Sequence, residues 1–121
     1  MHDTALDDLL DARMSWDVQI ALIATDFDGD CAKHATRLVA ISPLAQALRD
    51  GRAALSSDAR AKFDERERAR VDKVTAKVDH DLGLVGKTRA DVDRGNAQIT
   101  ATCEHDAQVQ EILRQAAFIA P

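Results

Sequence analysis

The feature that most constrains the fold is a set of residues that recur every four and three positions between residues 20 and 41. This spacing returns each side chain to one face of an α-helix, because the helix has about 3.6 residues per turn. Sustained over several turns, it is the heptad pattern typical of a coiled coil. The members of this heptad seam are Ile20, Ala24, Phe27, Cys31, His34, Leu38 and Ile41. They predict a long helix over residues 16–41. Whether it continues through Gly29 stays open, since glycine costs about 1 kcal/mol relative to alanine inside a helix.

Helix start and stop signals divide the rest of the chain. Ser42-Pro43 and Ser56 are typical of helix starts, Thr88 with Asp91 resembles a capping box, and the glycines of GLVGKT (83–88) are typical of a stop. We therefore predict an all-α helical bundle in a single domain, residues 1–121. Its helices occupy about 4–13, 16–41, 43–50, 57–82 and 88–118, and the last two form a long antiparallel helical hairpin.

Composition narrows the class of protein further. Aromatic residues are only 3% of the chain, which favours helix over strand. The net charge is −5, and residues 1–30 hold eight aspartates and one arginine, so we expect no nucleic-acid binding.

The acidic N-terminal stretch differs from the basic start of a signal peptide, and no apolar run approaches the length of a membrane span. We expect a cytoplasmic protein with no membrane partner. The Ala/Asp/Arg-rich composition without tyrosine hints at a bacterial source.

The stretch IALIATDFDGD (20–30) supports a different interpretation. It resembles the first motif of the haloacid dehalogenase phosphatase superfamily, an apolar strand followed by Asp-x-Asp-Gly. The resemblance implies that Asp26 is a nucleophile for a phosphoryl group, that Asp28 is the general acid, and that Mg²⁺ lies between them. It also implies a parallel sheet that supplies further site residues. The competing interpretation makes these aspartates the solvated face of a helix.

The two cysteines allow a metal site as another alternative. Cys31 and His34 are three residues apart, and so are Cys103 and Asp106, so each pair shares a helix face. Two facing helices could combine all four as ligands for zinc or iron. Reduced thiols in a cytosolic protein are the simpler interpretation, one disulfide remains possible, and no cofactor is then expected. If His34 and Asp106 face each other, their layer would be pH-sensitive and would favour the charged imidazole.

The sequence favours a non-enzymatic role as a helical protein–protein interaction or oligomerisation module. Its partner would be another protein or a second copy of the chain, and the acidic N-terminal third would favour a basic partner. The apolar anchors expected in the core or the interface are Phe27, Leu38, Ile99 and Leu113.

Overall fold

The computed structural model describes residues 4–121. The described residues form seven α-helices and no β-strand, which confirms the all-α helical bundle. The helices are α1 (Thr4–Thr25), α2 (Cys31–Ala40), α3 (Ser42–Ala54), α4 (Ser57–Ala69), α5 (Val71–Leu84), α6 (Arg89–Cys103) and α7 (Ala107–Gln115).

Helix α1 is the element against which most of the bundle packs. It contacts α3, α4, α5 and α6, while α7 packs against α2. Apolar side chains are buried around much of its circumference, as expected for a helix in the interior of a protein. Its buried residues are Leu6, Leu9, Leu10, Trp16, Val18, Ala21, Ile23 and Ala24.

Two apolar clusters form along α1. The first joins the N-terminal half of α1 to α3 and α4, with Ala45, Leu48 and Phe63 as the buried partners. Phe118 packs against this cluster and stacks on Trp16, which ties the segment after α7 to the core. The second joins the C-terminal half of α1 to α5 and α6, and its buried residues are Val18, Ala21, Ala24, Val78, Leu82 and Val92.

The predicted helices 4–13 and 16–41 are wrong in extent. The gap between them near residue 14 is absent, and residues 16–41 do not form one helix. Helix α1 continues from Thr4 to Thr25, because no glycine or proline interrupts it and Trp16 lies in the first cluster. The chain then leaves the helix: Gly29 has φ +93°, and Asp30 caps α2 by accepting a hydrogen bond from the Lys33 amide. The heptad seam therefore crosses a break between two separate helices.

Three other predicted helices differ in extent. The predicted helix 57–82 is two helices, because the chain turns at Arg70 with φ −97° and ψ 7°. The predicted helix 88–118 ends at Cys103, and Asp106 caps α7 through the amides of Gln108 and Val109. The predicted helix 43–50 extends over Ser42–Ala54. The predicted capping box of Thr88 and Asp91 is confirmed at the start of α6.

The predicted long antiparallel hairpin is not confirmed, since α5 and α6 pack chiefly against α1 and not against each other. Helices α5 and α6 follow one another through the turn at 85–88, and both contribute buried residues to the cluster that they share with α1. Across residues 4–121, no helix is both long and apolar enough to cross a lipid bilayer.

Helix α6 packs directly against the backbone of α1 at Gly95. A Cβ atom at this position would lie 1.9 Å from the backbone carbonyl oxygen of Ala24, which no side-chain adjustment can relieve. The absence of a side chain at Gly95 therefore sets the spacing of α1 and α6, and Val92 is buried in the cluster between them.

We expect Gly95→Ala to lower the free energy of unfolding by about 1–3 kcal/mol, since the added methyl group forces the two backbones apart. Gly83→Ala is the matched control, because a Cβ there meets nothing within 4 Å and alanine favours helix. Urea denaturation measures both variants. Equal stability of Gly95→Ala and the wild type would contradict the close approach.

Candidate functional site

Cys31 and Cys103 form a disulfide. Cys31 is the first residue of α2 and Cys103 is the last of α6, and their sulfurs lie 2.00 Å apart. The pair is buried in a third cluster with Ala35 and Val109, against which Ile112 also packs. The bridge links positions 72 residues apart in the sequence. It corrects the expectation of two reduced thiols.

The four predicted metal ligands do not form one site. The structure brings Cys31 and Cys103 together, but sulfurs joined in a disulfide are no longer the thiolates that bind zinc. The Asp106 carboxylate instead accepts hydrogen bonds from two amides at the start of α7. Within residues 4–121, no group of three or more His, Cys, Asp or Glu side chains could hold a metal ion.

His34 is the buried polar residue of this region. Only 8% of its surface is exposed, and its ring meets Phe27 edge-on with the centroids 5.9 Å apart. Its Nδ1 atom has no hydrogen-bond partner among the described residues. Burial lowers the pKa of His34 from its ordinary value of 6.5, and the charge of Arg37 lowers the pKa further. The polar layer predicted for the case that His34 and Asp106 face each other does not form, since Asp106 accepts from amides of α7 and the pKa of His34 is lowered and not raised.

The DFDGD stretch forms the loop between α1 and α2. Asp28 accepts hydrogen bonds from the Asp30 amide and from Lys33 Nζ at 2.8 Å. The hydrogen bond from Lys33 lowers the pKa of the Asp28 carboxyl. The Asp26 carbonyl accepts a hydrogen bond from Arg37 at 2.8 Å. These contacts hold the loop against the first turns of α2.

The phosphatase interpretation fails on the fold that it implies. The apolar residues before Asp26 belong to α1, where Val18, Ala21 and Ala24 are buried at helical spacing. A parallel sheet is needed to bring further site residues to the nucleophile, and residues 4–121 contain no strand. Asp26 and Asp28 are exposed on the loop rather than placed at the end of a strand.

The four predicted apolar anchors are placed unequally. Phe27, Ile99 and Leu113 are partly buried, and each packs against the cluster around the disulfide. Leu38 is partly buried on α2 and belongs to none of the three clusters.

Sequence reasoning missed an exposed apolar turn. Leu84 and Val85, which we call the apolar turn, lie between Gly83 and Gly86 and are 73% and 57% exposed. Gly86 has φ +72°, a conformation that glycine adopts without strain. The sequence alone could not show this exposure, because Leu84 is the last residue of α5 and its burial depends on which helix packs against that end.

Sequence reasoning also missed a cavity of about 300 Å³ between α1 and the junction of α4 and α5. Leu10, Met14 and Val74 supply apolar lining, and Asp17 and Glu67 are its acidic residues. Burial raises the pKa of both carboxyls above the ordinary values. No sequence motif marks this cavity, because its walls come from three helices.

Comparison with known proteins adds no further assignment, since no protein-family model, curated protein or solved structure matches the chain.

Replacing both cysteines, Cys31→Ala with Cys103→Ala, should lower the free energy of unfolding by about 2–5 kcal/mol, because the bridge closes a long loop in the unfolded chain. Urea denaturation measures the loss. Wild-type protein treated with iodoacetamide in denaturant, without reductant, is the control and should gain no label. Two labelled cysteines would contradict the bridge.

His34 should make the fold less stable in mild acid. Its pKa is lowered in the folded state, so the unfolded chain takes up its proton first as the pH falls below about 6.5. The stability contributed by the neutral imidazole is complete above that pH and is lost below it, by at most about 1.4 kcal/mol per pH unit. The difference in unfolding free energy between wild type and His34→Gln should therefore shift between pH 7.5 and 5.5. A pH-independent difference would refute this assignment.

Proposed function

We propose that this protein is a non-enzymatic helical interaction module that self-associates through the apolar turn of Leu84 and Val85. The observation that carries the proposal is the exposure of these two adjacent side chains, 73% and 57%. Burying a leucine or valine side chain contributes about 1.5–3 kcal/mol, so covering both would help to hold two copies together.

The surroundings of the apolar turn support a second copy as the partner. Before the turn Lys77 pairs with Asp81 at 3.0 Å within α5, and Arg89 of α6 pairs with Asp79 of α5 at 2.8 Å. Both signs of charge therefore flank the apolar turn. Two identical copies can meet at such a surface with opposite charges opposed, whereas a surface of one sign would repel itself.

The non-enzymatic assignment is supported by the roles of the residues that had suggested chemistry. Asp28, Asp30 and Asp106 cap loops and helix starts. Cys31 and Cys103 are bonded to each other. Each of these groups is used in holding the helices in place. A basic protein partner for the acidic N-terminal third is the alternative to self-association.

The cytoplasmic location stays a prediction. It rested in part on reduced cysteines, and the disulfide removes that support. Disulfides persist in oxidising compartments and are rare where glutathione and thioredoxin keep thiols reduced. The bridge therefore favours an oxidising environment for the folded protein.

Sedimentation equilibrium should show a mass that rises with protein concentration. The double variant Leu84→Ser with Val85→Ser should stay monomeric at concentrations where the wild type associates. Ile119→Ser is the matched control, since this side chain is 61% exposed on a different part of the chain, and it should associate like the wild type. A wild type that is monomeric at every concentration would overturn self-association.

A further inference from the structure

A second cavity, of about 510 Å³, lies between α3, α4 and the C-terminal segment. Its apolar walls include Leu48 and Phe63, which belong to the first cluster and are each only 4% exposed. We call it the arginine cavity, because four arginines also line it. They are Arg13, Arg49, Arg52 and Arg60. A volume of this size falls within the range of small-molecule sites in proteins.

Two of the four arginines have carboxylate partners. Arg52 is paired with Asp64, its terminal nitrogen 2.9 Å from the carboxylate oxygen. Arg13 is paired more loosely with Asp17, at 3.9 Å. Glu67 also lines the cavity, and the guanidiniums whose charges act on its carboxyl are those of Arg13 and Arg52.

Arg49 and Arg60 meet neutral acceptors. Arg49 donates to the Ile119 carbonyl and to the Gln46 side chain. Arg60 donates from Nε to the Leu55 carbonyl at 3.2 Å, and its two terminal nitrogens donate to no described residue. A guanidinium has five N–H donors, so both residues keep donors and an uncompensated charge for a ligand.

We propose that the arginine cavity binds a small organic anion, a carboxylate or phosphate that carries an apolar group. The anionic end pairs with the guanidiniums of Arg49 and Arg60, in the geometry that suits carboxylate and phosphate oxygens. The apolar group lies against Ala53 and Pro121 and against the small exposed parts of Leu48 and Phe63. Nucleic acid is a poorer match, because these arginines converge on one cavity instead of forming a basic stripe along the surface.

The test uses four small probes on the full chain. Phenyl phosphate and benzoate carry both parts of the proposed ligand, benzamide lacks the charge, and inorganic phosphate lacks the apolar group. Titrations followed by ¹H–¹⁵N correlation spectra report the affinity and the amides that shift. We expect phenyl phosphate or benzoate to shift amides of α3 and α4, and the tighter of the two identifies the head group.

Variants of the two unpaired arginines locate the site. Arg60→Gln and Arg49→Gln should each weaken the tighter anion about tenfold, the loss expected for one charged hydrogen bond. Arg68→Gln makes the same charge change on an exposed position of α4 outside the cavity and should bind like the wild type. Arg60→Lys keeps the charge, so its affinity for the anion should lie between those of Arg60→Gln and the wild type. A thermal melt confirms that each variant is folded.

The titrations distinguish a specific anion site from nonspecific binding. An anion that binds at least about tenfold more tightly than benzamide and inorganic phosphate, and that is weakened in both glutamine variants, supports the proposal. It is overturned if neither aromatic anion binds, if benzamide or inorganic phosphate binds as tightly as the aromatic anions, or if Arg68→Gln weakens binding as much as Arg60→Gln.

Discussion

The burial of α1 by the other helices is the constraint on which most of the structure depends. Side chains from its first turn to its last lie in two apolar clusters, and the partners come from α3, α4, α5 and α6. None of those helices buries more than a few of its own residues. A short amphipathic helix is marginal in water by itself, so each depends on α1 for its stability. At Gly95 this packing becomes a backbone contact.

The third cluster extends the bundle beyond α1. Helices α2 and α7 pack mainly against each other, and the disulfide joins the start of α2 to the end of α6. A covalent link restrains this small cluster more firmly than its few apolar side chains would. His34 lies in α2, and its Nδ1 atom has no hydrogen-bond partner among residues 4–121, so we expect α2 to be sensitive to acid. The proposed binding surfaces, the apolar turn and the arginine cavity, lie outside this cluster.

The parts of the structure that could be predicted from the sequence are those that depend on residues close together in the chain. The capping box joins Thr88 and Asp91, three positions apart, and its side chains meet because local geometry requires it. The arginine cavity is different. Arg49 and Arg60 belong to different helices, and one of the two acceptors for Arg49 is 70 residues away in the sequence. Spacing within one helix carries no information about such a meeting.

The sequence by itself determined that the chain is helical and where several helices begin, because propensity, capping and turn chemistry act over a few residues. It did not show where the long predicted helices break, at residues 26–30, at Arg70 and at residues 104–106. The four-and-three stepping from Ile20 to Ile41 continued through Gly29, although the chain turns there. Only the tertiary structure decided that break, the pairing of Cys31 with Cys103, and the exposure of the apolar turn. Each depends on which helix faces which, and that is settled by burial against residues far away in the chain.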